Sequence, residues 1–173
     1  MEKRSKDIRV YNVLLPLWLI VFLPTWLWLL LIPANYLIDR VVLWWSLGGM
    51  EGRGQFCRAH NWKICTAGFA SDFVGALFLL AVSMVLSNED SNSFLYDVAN
   101  GIMMNPFRSV PALAVTAAGI ALAALCIFFI DRTILRKAGL TPAQAKKSAL
   151  MLAVITAPYL YLFPSTLLYN NGF

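Results

Sequence analysis

Apolar stretches long enough to cross a bilayer alternate with short polar, mostly basic segments along nearly the whole chain. After a polar start holding Lys3, Arg4, Lys6 and Arg9, residues 10–38 carry no charge at all. About 20 apolar residues in a helix cover the hydrocarbon of a bilayer, so this run is long enough to span. Pro16, Pro24 and Pro33 interrupt it. Each removes a backbone donor and kinks a helix, which a membrane tolerates where neighbours re-satisfy the freed carbonyls. Pro33-Ala34-Asn35 reads as the end of a first span over residues 10–33. Residues 35–50 are apolar apart from Asp39 and Arg40 and stop at Gly48 and Gly49. They have two readings, a short second crossing or a helix lying at the interface.

The next apolar run covers residues 63–87, with Asn61 as a candidate N-cap. Ala67, Ser71 and Gly75 recur at four-residue spacing and so share one face, the pattern that lets helices approach closely. Residues 88–108 are polar, with Glu89, Asp90 and Asp97. Within them Phe94, Leu95, Val98 and Ile102 fall on one side of a short amphipathic helix, expected on the membrane surface. Residues 109–138 form a span crowded with Ala and Gly. Its end is marked by Arg136, Lys137 and then Gly139. Thr141-Pro142-Ala143-Gln144 reads as a capping box with proline at the first helical position, so the last two spans should form a tight hairpin. The final span, residues 142–168, is interrupted by Pro158 and Pro164.

The pattern predicts an all-α polytopic integral membrane bundle of four or five transmembrane helices. It has a proline-broken N-terminal hairpin, a short amphipathic helix in the 88–108 loop, and one domain over residues 1–173. Composition agrees. The chain is 60% hydrophobic and 13% charged, where a soluble domain usually carries about 25% charged residues. A chain this small cannot hide that much apolar surface by folding alone. The first apolar run far exceeds a signal peptide's and has no clear cleavage site after it, so it is expected to be retained.

The net charge of +5 comes from Lys and Arg between apolar runs, where positive charge sets topology rather than binding nucleic acid. Basic residues cluster in the N-terminal tail, in 51–63 (Arg53, Arg58, Lys63) and in 132–147 (Arg132, Arg136, Lys137, Lys146, Lys147). The expected arrangement is a multi-pass protein of the plasma membrane, with 51–63 and 132–147 cytoplasmic and both 88–108 and the C-terminus outside. A cytoplasmic tail requires two crossings within residues 10–50, which favours five in all.

Ionisable residues inside spans are costly and point to function. Asp72 is the leading candidate, roughly 13 Å past Lys63 at about 1.5 Å per residue and beside Gly68, Gly75 and Ala76. Asp39 comes next, at a similar expected depth if residues 35–50 span, with Asn35 at the proline-broken turn. Arg40 is a candidate counter-charge or gate. Asp131, followed by Arg132, is expected near the cytoplasmic end, where solvation is the simpler explanation. A short echo links the two sites: Ile38-Asp39-Arg40 with Leu43 repeats as Ile130-Asp131-Arg132 with Leu135. The tryptophans read mostly as interfacial or packing residues.

Three free-standing cysteines with no CxxC argue against a disulfide framework. Cys57, His60 and Cys65 are weak metal candidates, since a structural zinc site wants four ligands. No nucleophile–base arrangement, phosphate loop or metalloprotease motif is present, so a lipid-modifying or proteolytic enzyme is the weakest of three readings, and no cofactor is expected. The leading expectation is a small transporter or channel for a cation or small polar solute, with Asp72 and Asp39 as its site. The alternative is a non-catalytic membrane subunit or regulator that binds a partner through Ala/Gly-rich faces. Expected partners are the lipid bilayer and either a second copy or another membrane protein; nucleic acid is not among them.

Overall fold

The computed structural model describes residues 18–19, 26, 28–88 and 93–169. The basic N-terminal tail, Pro16, Pro24, most of the first apolar run, Glu89 and Asp90 lie outside them. Among the described residues all regular structure is helical: α1 Trp28–Ser46, α2 Arg53–Leu86, α3 Phe94–Met104, α4 Val110–Lys137, α5 Pro142–Ile155 and the single turn α6 Thr166–Tyr169, with 3-10 turns at Pro106–Arg108 and Tyr159–Leu162. Two of these, α2 and α4, are long and apolar enough to cross a membrane.

Local chemistry explains several boundaries. Ser109 caps α4 by accepting from the Ala112 amide, with Pro111 in the first turn. Ser93 caps α3 in the same way through Tyr96. Between α4 and α5, Gly139 takes φ +98°, a left-handed conformation that glycine adopts without penalty. Thr141 and Gln144 then form the reciprocal capping box that opens α5. The tight hairpin expected there is present.

Other boundaries differ from the expectation. Helix α1 runs through Pro33 without a break. Pro33 has no N–H for the Leu29 carbonyl, so α1 gives up one helical bond there and continues. Helix α2 begins at Arg53, after Gly52 at φ +73°, so residues 53–63 are helix rather than loop. Asn61 is no cap: it is buried inside α2 and its amide donates to the Tyr36 carbonyl at 2.8 Å. Helix α5 ends at Ile155. Pro158 cannot supply a helical N–H, and the chain continues through irregular backbone and a 3-10 turn instead of one long span.

Helices α1, α2, α4 and α5 form a ring in that order, and α1 closes it against α5. Helix α3 rests on α2 and α4 at one end. The opposite end gathers the start of α2, the end of α4 and the start of α5, and so brings the two basic segments together. There the Ser46 and Ser148 hydroxyls hydrogen-bond at 2.7 Å, and Arg53 stacks 3.7 Å above the Trp44 ring. Helices α2 and α4 approach closely: a Cβ added at Gly75 would sit 2.9 Å from the Gly119 carbonyl. The Ala67, Ser71 and Gly75 face is therefore filled from within the chain. One apolar cluster, around Leu43, Ile64, Leu135 and Leu152, fills the basic end. A second, around Trp18, Leu79, Ile102 and Tyr161, fills the α3 end. Outward faces carry Leu29, Val41, Val85, Leu125, Phe129 and Val154, all exposed.

Candidate ion or solute site

Three aspartates point into the ring from three helices. Asp39 on α1 and Asp131 on α4 are 2% and 0% exposed; Asp72 on α2 is partly covered. Asp39 is close enough for its charge to act on both of the others. Cys65 neighbours both the Asp39 carboxyl and the Asn35 amide. Asn35 also borders Gly68, whose missing side chain leaves it room.

Contacts along α2 set the relative heights. Asp39 is level with Cys65, and Asp72 lies seven residues, roughly 10 Å, further toward the α3 end. The two carboxylates thus occupy successive layers rather than the shared depth expected. The layer nearer the basic end holds Asp39, Cys65 and Asp131. The layer nearer α3 holds Asp72, with Asn35 bridging the two.

Polar satisfaction in this region is incomplete. One oxygen of Asp39, one of Asp72, both of Asp131 and the Asn61 carbonyl oxygen are buried with no hydrogen-bond partner. Native interiors pair almost all such atoms, and burying a lone charge is far more costly than burying a lone hydroxyl. The ion pair found among the described residues, Arg108 with Asp97 at 3.6 Å, is exposed and remote from these groups. Arg40 does not face the carboxylates. It lies toward Gly54 and Cys57, which removes the basis for reading it as their counter-charge. Asp131, expected to be solvated, is instead among the most enclosed residues. The echo between α1 and α4 extends to burial: Ile38 and Ile130 are exposed, both aspartates are buried, and Leu43 and Leu135 are fully enclosed.

Asp72 opens onto a cavity of about 240 Å³. Its walls are Trp28 and Leu31 of α1, Phe69 of α2, Trp18, and the stretch from Thr156 to Tyr161 where α5 has unwound. Trp28 and Phe69 stack at 5.7 Å between ring centroids. The Tyr161 hydroxyl donates to the Asp72 backbone carbonyl and so anchors the unwound stretch on α2. Sequence reasoning singled out Asp72 and Asn35 as candidates and did not anticipate this aromatic wall. The signal was there in Pro158 and Pro164, set within an Ala/Tyr/Leu-rich stretch.

Among the described residues no group of three His, Cys, Asp or Glu side chains is arranged to hold a metal ion. Cys57, His60 and Cys65 are strung along α2; the first and last are buried, and His60 stacks on Phe56 with Nδ1 3.1 Å from the Phe56 carbonyl. The three aspartates are likewise neighbours that do not converge on one point. Comparison with known proteins yields no matching family model, curated protein or solved structure.

Proposed function

We propose that this chain is a multi-pass integral membrane protein of the plasma membrane that moves a cation or small polar solute, with Asp72 as the binding carboxylate and Asp39 and Asp131 continuing the polar path toward the basic end. Support for embedding comes from the outward faces. Leu29 is 82% exposed and Val110 81%, and only 28% of each apolar window in α2 and α4 is covered. A core helix of a soluble protein would be mostly covered; lipid accounts for the bare apolar surface. Convergence of Arg53, Arg58, Lys63, Arg136, Lys137, Lys146 and Lys147 at one end favours a cytoplasmic basic end, with α3 and the C-terminus outside. On this reading α1 takes the place of the short second crossing, and the preceding apolar run supplies the fifth.

The observation that carries the transport reading is the unwound backbone at Thr156–Tyr161 beside an uncompensated Asp72. Irregular backbone at membrane depth is tolerated where it is covered by protein or lines a cavity, and discontinuous helices beside charged groups are how transporters build sites near the midplane. The test is flux in liposomes carrying the full chain, read as cation-dependent proton movement with an internal pH dye. Asp72→Asn is expected to abolish it. Undiminished flux in that variant removes the assignment.

A second reading has one observation in its favour. An apolar groove of about 670 Å³ runs between α4 and α5, with Ala117, Ala121, Ala124, Leu150 and Val154 along it. Small residues on an open face suit a helix from a partner subunit or a second copy. Copurification of a partner, with loss of stability rather than of flux in Asp72→Asn, would favour it.

A further inference from the structure

The geometry points to a small organic ammonium ion with an apolar body as the ligand of the Asp72 cavity, exchanging there with a proton. This rests on the reading of Asp72 as a cation site and names the class of cation. The cavity holds about 240 Å³, room for about eight waters at roughly 30 Å³ each. That is far more than a bare metal ion needs, and it suits an ammonium bearing one ring or several short alkyl arms.

The wall chemistry narrows the choice. Trp18, Trp28, Phe69, Tyr159 and Tyr161 supply five aromatic rings, and Asp72 is the one charged side chain among the described residues that line it. Cations are attracted to the faces of such rings, and aromatic cages are a recurrent way of holding quaternary ammonium groups. Four polar hydrogens of the wall are already turned to the backbone. Trp18 Nε1 donates to the Ile102 carbonyl, Thr156 to Leu152, Tyr159 to Val154 and Tyr161 to Asp72. The Asn35 amide lies beside Cys65. A sugar, with many hydroxyls to satisfy, finds few partners here, and an anion meets a carboxylate. A cation whose charge is spread beneath alkyl groups needs no hydrogen bonds at all.

Exchange follows from charge balance. A carboxyl buried beside apolar rings needs one positive charge, either a proton bound to it or a cation next to it. When the ammonium enters, the proton on Asp72 leaves, and when the ammonium leaves, a proton returns. The Asp72 oxygen that is buried without a partner is the atom that would carry it.

The probe is benzyltrimethylammonium, titrated into the purified full chain in detergent and read by calorimetry, with proton release followed in weak buffer. Saturable binding with release of up to one proton is expected. Asp72→Asn should weaken it at least tenfold and abolish the release. Trp28→Leu should weaken it by about three- to tenfold, as expected for loss of one cation–π partner. Asp97→Asn, at the exposed ion pair, should leave it unchanged. Equal binding to wild type and Asp72→Asn overturns the inference. Asp72-dependent sodium flux in liposomes without benzyltrimethylammonium binding overturns the ligand class while leaving transport standing. Asp72-dependent binding without flux of any cation keeps the site and removes transport.

Discussion

Replacing Gly75 by alanine tests the α2–α4 contact on which the site is built. The new Cβ would lie 2.9 Å from the Gly119 carbonyl oxygen, 3.0 Å from the Ala123 Cβ and 3.3 Å from the Tyr161 ring. Ordinary van der Waals contact begins near 3.4 Å, so the helices must part by about half an ångström, and the nearest atom is backbone with no freedom of its own. Overpacking of this kind costs about 1–3 kcal/mol. Against it stands the helix preference of alanine over glycine, about 0.5–1 kcal/mol. The net expectation is a loss of about 1 kcal/mol, within a range of about 0–2.5. Gly68, two turns earlier on the same helix, provides the matched control. Its added Cβ meets only the Asn35 amide at 3.8 Å, so Gly68→Ala keeps the helix gain and should be stabilising by about 0.5–1 kcal/mol. Thermal unfolding in detergent, followed by tryptophan fluorescence, reads both. At about 2–4 °C per kcal/mol for a chain of this size, the midpoint should fall for Gly75→Ala and rise for Gly68→Ala. A Gly75→Ala midpoint above wild type would refute the close approach of α2 and α4.

Three further outcomes follow from single contacts. Asp131→Leu should raise the unfolding midpoint, because it removes two buried oxygens that have no partner, each costing about 1–3 kcal/mol; the same variant should lose flux, and a midpoint below wild type would show that the carboxyl has a structural partner. Tyr161→Phe deletes the hydroxyl that donates to the Asp72 carbonyl and should cost about 0.5–1.5 kcal/mol, measured by the same unfolding. A double-mutant cycle of Ser46→Ala and Ser148→Ala should give a coupling of about 0.5–1.5 kcal/mol; additive single effects would deny the α1–α5 bond at the basic end.

What could be read from sequence was chemistry local to a few residues. The Gly139 turn and the Thr141–Gln144 capping box are set by neighbours within one helical turn, and both were legible, as was the short helix now seen at Phe94–Met104. The start of α2 was not legible, because Arg53, Arg58 and Lys63 read as a loop by charge although none of them disfavours a helix. Pro33 was read as a break because a proline costs a helix one bond, and whether the helix continues past it is decided by packing rather than by neighbouring residues. At the site, Asp72 and Asn35 stood out as polar groups in apolar runs. The enclosure of Asp131 did not, since it depends on neighbouring helices, α2 and α5 above all, covering α4. The aromatic wall joins α1, α2 and the stretch after α5, residues more than a hundred positions apart, and no spacing rule connects them.

The unwound stretch after α5 has a consequence for how the protein is made. In a bilayer-embedded chain, backbone from Thr156 to Ser165 cannot rest against lipid with its amides and carbonyls unmet. Its own amides bond locally, Tyr159 to Ala157, Tyr161 to Pro158 and Phe163 to Leu160; its seat comes from earlier in the chain, where the Tyr161 hydroxyl is anchored on α2 and the cavity it helps to enclose is walled by α1. The C-terminal segment can therefore settle only once α1 and α2 are already standing side by side. Helix α5 enters on the Gly139 hairpin, and the residues beyond it are the last to find their seat. Biogenesis would run in chain order and finish by closing the chamber, so a chain cut short after Ile155 should leave the Asp72 cavity without its Thr156–Tyr161 wall and open on that side.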